Sequence, residues 1–130
     1  MIEWTDSFSR TCALAVGINA YEKERPLKNA VKDAEAVEEG LRTVGVERIT
    51  SALDCDIKQL TDKINKFLST LRKGDVAIVY VAAHGAMYRN RHVLLTTTSA
   101  HGNFAETSLS VQEMLATLVT AYFVCTLTFG

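Results

Sequence analysis

The sequence predicts an α/β domain built on a doubly wound, mostly parallel sheet with helices on both faces, and three observations carry that reading. Two apolar runs, residues 11–19 and 76–83, are unbroken by charge and contain β-branched residues, the pattern of strands buried on both faces. In two further segments apolar residues recur at three- and four-residue spacing, the stripe of an amphipathic helix. Strand and helix patterns alternate along the chain, and right-handed crossovers then place helices on both sides of a parallel sheet.

Taken in order, Thr11-Cys12-Ala13-Leu14-Ala15-Val16-Gly17-Ile18-Asn19 is the first strand, closed by turn-forming residues and by Pro26, the only proline. From Leu27 the positions Leu27, Ala30, Val31, Ala34, Val37, Leu41 and Val44 form a helical stripe, and Gly45 is its stop. Residues 48–53 are a short strand, and Asp54 or Asp56 caps a second helix whose stripe is Ile57, Leu60, Ile64, Phe67, Leu68 and Leu71. Lys73-Gly74 ends that helix and feeds the strand over 76–83. Residues 87–95 form a small hairpin turning at Asn90, followed by a polar loop through Thr107. Ser110-x-x-Glu113 is a capping-box pattern opening a third helix, and a final strand begins at Ala121.

At 130 residues, 48% hydrophobic and 22% charged, the composition is that of one globular domain with an ordinary core. A formal net charge of −1 leaves no basic surplus for nucleic acid or anionic membranes. The start, Met1-Ile2-Glu3-Trp4-Thr5-Asp6, carries acids where a secretory signal carries positive charge and an apolar stretch, so a cytoplasmic location is expected. Residues 114–130 hold no charge, but they fall short of the roughly 20 apolar residues of a spanning helix and read as core. Cys12, Cys55 and Cys125 are odd in number and lack CxxC spacing, which predicts reduced thiols and argues against a disulfide framework or structural zinc. Cys12 and Cys55 read as small buried hydrophobes, and Cys125 as either a strand cysteine or a nucleophile. No metal or other cofactor is expected. His84, His92 and His101 lack the helix-face spacing and nearby carboxylate of a metal triad; the last two read as solvated loop residues.

The candidate chemistry lies at His84-Gly85, where the second apolar run stops. Buried parallel strands present functional groups at their carboxyl ends, a histidine there can act as general base or acid, and a glycine lets a backbone N–H approach a ligand.

These segments resemble the caspase and metacaspase superfamily of cysteine endopeptidases, in its large-subunit half. Residues 13–21, ALAVGINAY, are similar to the family's first strand. Residues 26–34, PLKNAVKDA, resemble the L-x-G-C/A-x-x-D-A helix start of the metacaspase and bacterial branches, and residues 79–85, VYVAAHG, resemble the Y-x-S/A-G-H-G signature. The resemblance implies one caspase-like domain over residues 10–130, strongest over 10–118, with 119–130 divergent or truncated and the family's C-terminal half lacking. It implies a polypeptide substrate, His84 as catalytic histidine and Gly85 as an oxyanion-hole donor. Asp33 matches the metacaspase carboxylate that favours Lys or Arg before the cut; Arg10 lies near where caspases place the arginine that selects Asp.

The family's Asp-x-Cys, followed closely by Gly, is departed from in Phe123-Val124-Cys125-Thr126-Leu127-Thr128-Phe129-Gly130, where Phe123 replaces the Asp, and Cys125 follows His84 more closely than the roughly 50 residues of caspases. Cys125 is therefore expected mid-strand and not competent as the nucleophile. Between His84 and Gly130 the only carboxylate side chains are Glu106 and Glu113, so the acidic cluster of calcium-dependent metacaspases is absent from this stretch. The expected function is a caspase-like cysteine endopeptidase domain, incomplete as a catalyst in this chain, with a non-enzymatic caspase-like interaction module as the alternative. The uncharged last strand, at a sheet edge, is expected to promote homo-association.

Overall fold

The computed structural model describes residues 11–117 in full and residues 122–129 as backbone. The elements are β1 (Thr11–Gly17), α1 (Ala30–Thr43), β2 (Arg48–Leu53), α2 (Ile57–Thr70), β3 (Val76–Ala83), β4 (Gly85–Tyr88), β5 (Arg91–Leu95), α3 (Phe104–Thr107), β6 (Ser108–Ser110), α4 (Val111–Ala116) and β7 (Tyr122–Phe129). β2, β1, β3 and β7 lie in that order as a parallel sheet, while β4, β5 and β6 form a small antiparallel one. The chain leaves β1 sideways to β2, then crosses back over β1 to β3. With right-handed crossovers this reversal puts α1 and α2 on opposite faces, as the sequence predicts.

The two faces of β1 differ in size. Cys12, Leu14 and Val16 join Leu60, Ile64 and Phe67 of α2 in one buried cluster. The alternate residues, Ala13, Ala15 and Gly17, face α1, and their small size lets that helix approach closely. A Cβ on Gly17 would sit 2.6 Å from the Ala30 carbonyl oxygen and 2.9 Å from both the Val31 Cα and the Ala34 Cβ.

Local signals explain most boundaries. Asp56, not Asp54, caps α2: its carboxylate accepts the Gln59 N–H at 2.8 Å, and the Gln59 side chain accepts the Asp56 N–H at 3.0 Å. Asp54 instead adopts a positive φ of 49° and serves the loop after β1. Gly45, at φ 102°, ends α1 as expected. That helix begins at Ala30 and not Leu27, because the Leu27 N–H is taken by the Asn19 carbonyl at 3.0 Å and the Val31 N–H by the Asn19 Oδ1 at 3.1 Å. Arg89 and Asn90, at φ 51° and 62°, form the two-residue hairpin turn with both centres left-handed. Within the polar loop expected through Thr107, a four-residue helix, α3, leads into β6, which pairs with β5.

In the register of β7 on β3, Cys125 stands opposite Val79 and Phe129 opposite Ala83. Among the described residues no strand pairs with the outer side of β7, and no helix is long and apolar enough to cross a membrane.

Candidate active site

His84 is the residue between β3 and β4, one step beyond the carboxyl end of a strand flanked by β1 and β7. β1 and β3 are neighbours whose onward connections run in opposite directions, which is where open α/β sheets form their ligand crevices.

Every backbone group of His84 is engaged. Its N–H donates to the Tyr21 hydroxyl at 2.8 Å, that hydroxyl donates to the Leu95 carbonyl at 3.2 Å, and the Leu95 N–H donates to the His84 carbonyl at 2.9 Å. The Tyr21 hydroxyl thus stands inside the ladder as a relay where a direct backbone bond would lie. Bonded and non-bonded pairs alternate in antiparallel ladders, so the next pair, Gly85 with Leu94, is a non-bonded one. The Gly85 N–H consequently points away from β5.

The imidazole is fixed as well. Its Nε2 lies 2.6 Å from the Arg25 carbonyl oxygen, and its ring centroid 4.6 Å from that of Tyr21 at an interplanar angle of 49°. A carbonyl can only accept, so Nε2 carries a proton in that contact. The loop that supplies Arg25 is tied down at its base. The Asp54 carboxylate accepts the N–H groups of Asn19 at 2.7 Å and Ala20 at 3.0 Å, and the Glu22 N–H reaches the Thr97 carbonyl at 2.9 Å.

Burial drives the Tyr21 hydroxyl up from its ordinary 10.0 to about 12, with the Asp54 charge adding to the rise and the His84 N–H opposing it. The fold favours the neutral phenol. Stability is therefore intact below pH 10 and falls as the pH climbs through 12, where the buried group must ionise. Tyr21→Phe keeps the ring but orphans the His84 N–H and Leu95 carbonyl, and is expected to cost about 2–3 kcal/mol at neutral pH. It should also flatten the alkaline loss between pH 10 and 12, read by denaturant titration across that range. An unchanged alkaline limb would show that the relay does not operate.

Two depressions flank His84. One, about 190 Å³, is lined by Leu27, Lys28, Asn29, Ala30, Asp33, Ala82 and Ala83, and the exposed Asp33 carboxylate is the only acid among its described lining residues. The other, about 330 Å³, is lined by Glu24, Arg25, His84, Gly85, Ala86, Leu95, His101 and Phe104. The crevice thus brings together His84, Gly85 and, in the smaller depression, Asp33. Arg10 lies outside the described residues. Cys125 is five residues short of the His84 register on β3, about 16 Å at ~3.3 Å per residue. Cys12 and Cys55 are buried free thiols, and burial raises the Cys55 pKa, which disfavours its thiolate. His92 is exposed on β5. Glu24 was not marked by any motif, Tyr21 entered only as the last residue of the segment similar to the family's first strand, and His101 sits in a polar stretch without periodicity.

The Caspase domain family model matches residues 10–125. In structure the chain is similar to the Drosophila initiator caspase Dronc, with a TM-score of 0.71 and 13% identity over 98% of this chain and 51% of that one. It is also similar to protein GSU0716 from Geobacter sulfurreducens, with a TM-score of 0.66 and 18% identity over 90% of this chain and 48% of that one. The chain spans about half the length of the solved structures it matches. No curated protein matches it by sequence.

Proposed function

The chain belongs to the caspase-domain family, and on that premise we propose that it is the histidine-bearing part of a cytoplasmic cysteine endopeptidase of the metacaspase type. The observation that carries the reading is the imidazole at the end of β3, oriented by the contact of Nε2 with the Arg25 carbonyl, and the reading gives the proton transfer to Nδ1.

The mechanism follows from that arrangement. Nδ1 takes the proton of a cysteine thiol, and the thiolate attacks the scissile carbonyl carbon. The carbonyl oxygen becomes an oxyanion and accepts from the Gly85 N–H. As the C–N bond breaks, Nδ1 returns the proton to the leaving amine; it then deprotonates the water that hydrolyses the thioester. This chemistry needs the sulfur within hydrogen-bond reach of Nδ1. The register of Cys125 argues against that residue and for a nucleophile at or beyond the end of β7. The same register favours, for these 130 residues taken alone, a non-enzymatic caspase-like module that associates through the outer edge of β7.

Asp33 supports a preference for Lys or Arg before the cut, because among the described residues its carboxylate is the one acid lining the depression beside Ala82 and Ala83. In any form of the domain that hydrolyses peptides, Asp33→Ala should reduce the kcat/KM ratio of Arg- to Ala-ended substrates roughly tenfold. Cleavage after Asp would instead assign the selecting charge to Arg10.

A further inference from the structure

We propose that the larger cleft, beyond His84, is a second acidic subsite that takes Lys or Arg immediately after the scissile bond, making the substrate class a peptide cut between two basic residues. The inference rests on the endopeptidase reading above and deepens it. The two depressions share no lining residue: Ala82 and Ala83, just before His84, line the smaller, and His84, Gly85 and Arg25 line the larger. The histidine hands its proton to the leaving amine, so the residue carrying that amine lies on the His84 side of the cut. If the Asp33 depression takes the acyl-side residue, the cleft with Glu24 faces the leaving side.

Glu24 is suited to a cation. Its side chain is 22% exposed, and its charge partner among the described residues, His101 Nε2, stands 3.8 Å away, beyond hydrogen-bond distance. That histidine side chain is 91% exposed, so solvent competes for it. Arg25 is likewise an exposed residue on the rim. A largely shielded carboxylate without a close donor gains most from a cation that reaches it. Phe104, 9% exposed and tilted against the His101 ring at 5.6 Å, supplies an apolar wall along which a lysine or arginine stem can lie. The loop bearing Glu24 is anchored at Asn19, Ala20 and Glu22, so the acid is presented from a fixed base.

The test reads binding and not turnover, on the 130-residue chain. Lys-Ala amide, a product mimic, and norleucine-Ala amide, with the same stem but no side-chain charge, are titrated while the Gly85 amide and His101 ring resonances are followed by NMR. Lys-Ala amide is expected to shift both and to bind at least fivefold tighter. Glu24→Gln should shrink that ratio below twofold, whereas Asp33→Ala should leave it unchanged. Equal affinities, no shift with either probe, or a ratio that survives Glu24→Gln overturns the subsite. A chain that binds the lysine probe through Glu24, in a protein no form of which hydrolyses peptides, would refute the endopeptidase reading and leave the cation site standing.

Discussion

In any form of this domain that hydrolyses Arg- or Lys-ended peptides, His84→Ala is expected to lower kcat by about 10³–10⁴-fold with little change in KM. The imidazole is asked to take a proton from the thiol, return it to the amine and activate the deacylating water, and general acid–base catalysis of this kind contributes about 10²–10⁴. Removing a member of a nucleophile–base unit disables both, which places the loss at the upper end. The control is circular dichroism, since truncating a ring packed on Tyr21 must not unfold the site. The 130-residue chain itself should show no turnover above its His84→Ala control, because Cys125 is held five residues away in register. Turnover in that chain, abolished by His84→Ala and by Cys125→Ala alike, would make Cys125 and His84 the dyad and overturn the placement argued here.

Gly17→Ala should be strongly destabilising. The new Cβ would meet backbone, 2.6 Å from the Ala30 oxygen, so no rotamer change relieves it and α1 must move off the sheet. Overpacking of a close-packed interior costs about 1–3 kcal/mol and sometimes more. A loss of about 3 kcal/mol, or a Tm lower by on the order of 10 °C, is expected from thermal and urea unfolding. Gly40→Ala is the matched control. It lies within α1, its Cβ would have nothing within 4 Å, and it should stabilise by about 0.5–1 kcal/mol. A Gly17→Ala loss below 1 kcal/mol would mean that α1 is free to slide. Because Ala30 and Asp33 lie on α1, a displaced helix also carries the Asp33 carboxylate with it.

What was legible in the chain was whatever has a period or a terminator. β1 and β3 announce themselves as apolar runs, α2 by its stripe and an aspartate cap left between Asp54 and Asp56, and the hairpin by its turn at Asn90. His84 and Gly85 were legible because a long buried strand had to stop somewhere, and it stops there. β6 was not legible: Ser108-Leu109-Ser110 has no β-branched residue and is a strand only because β5 offers an edge. The roles of Tyr21 and Asp54 were hidden for a different reason. Tyr21 bonds to residues 63 and 74 positions away, and Asp54 to residues 35 and 34 away, contacts that exist only after the sheet has formed. Glu24 and His101 are likewise brought together by the fold and not by spacing.

β3 passes into β4 through one residue, so the parallel sheet and the small antiparallel sheet are joined at His84 like two boards at a hinge pin. The fastenings across that joint, Leu95 to the His84 carbonyl, the Tyr21 relay and Glu22 to Thr97, all connect to the segment from Leu95 to Thr97. Lifting that segment would break the Leu95 bond to the His84 carbonyl and the Tyr21 relay without breaking a rung between β1 and β3. The order around His84 therefore depends on the small sheet's docking as well as on the large sheet that carries it, and the two sheets can lose their order at different free energies.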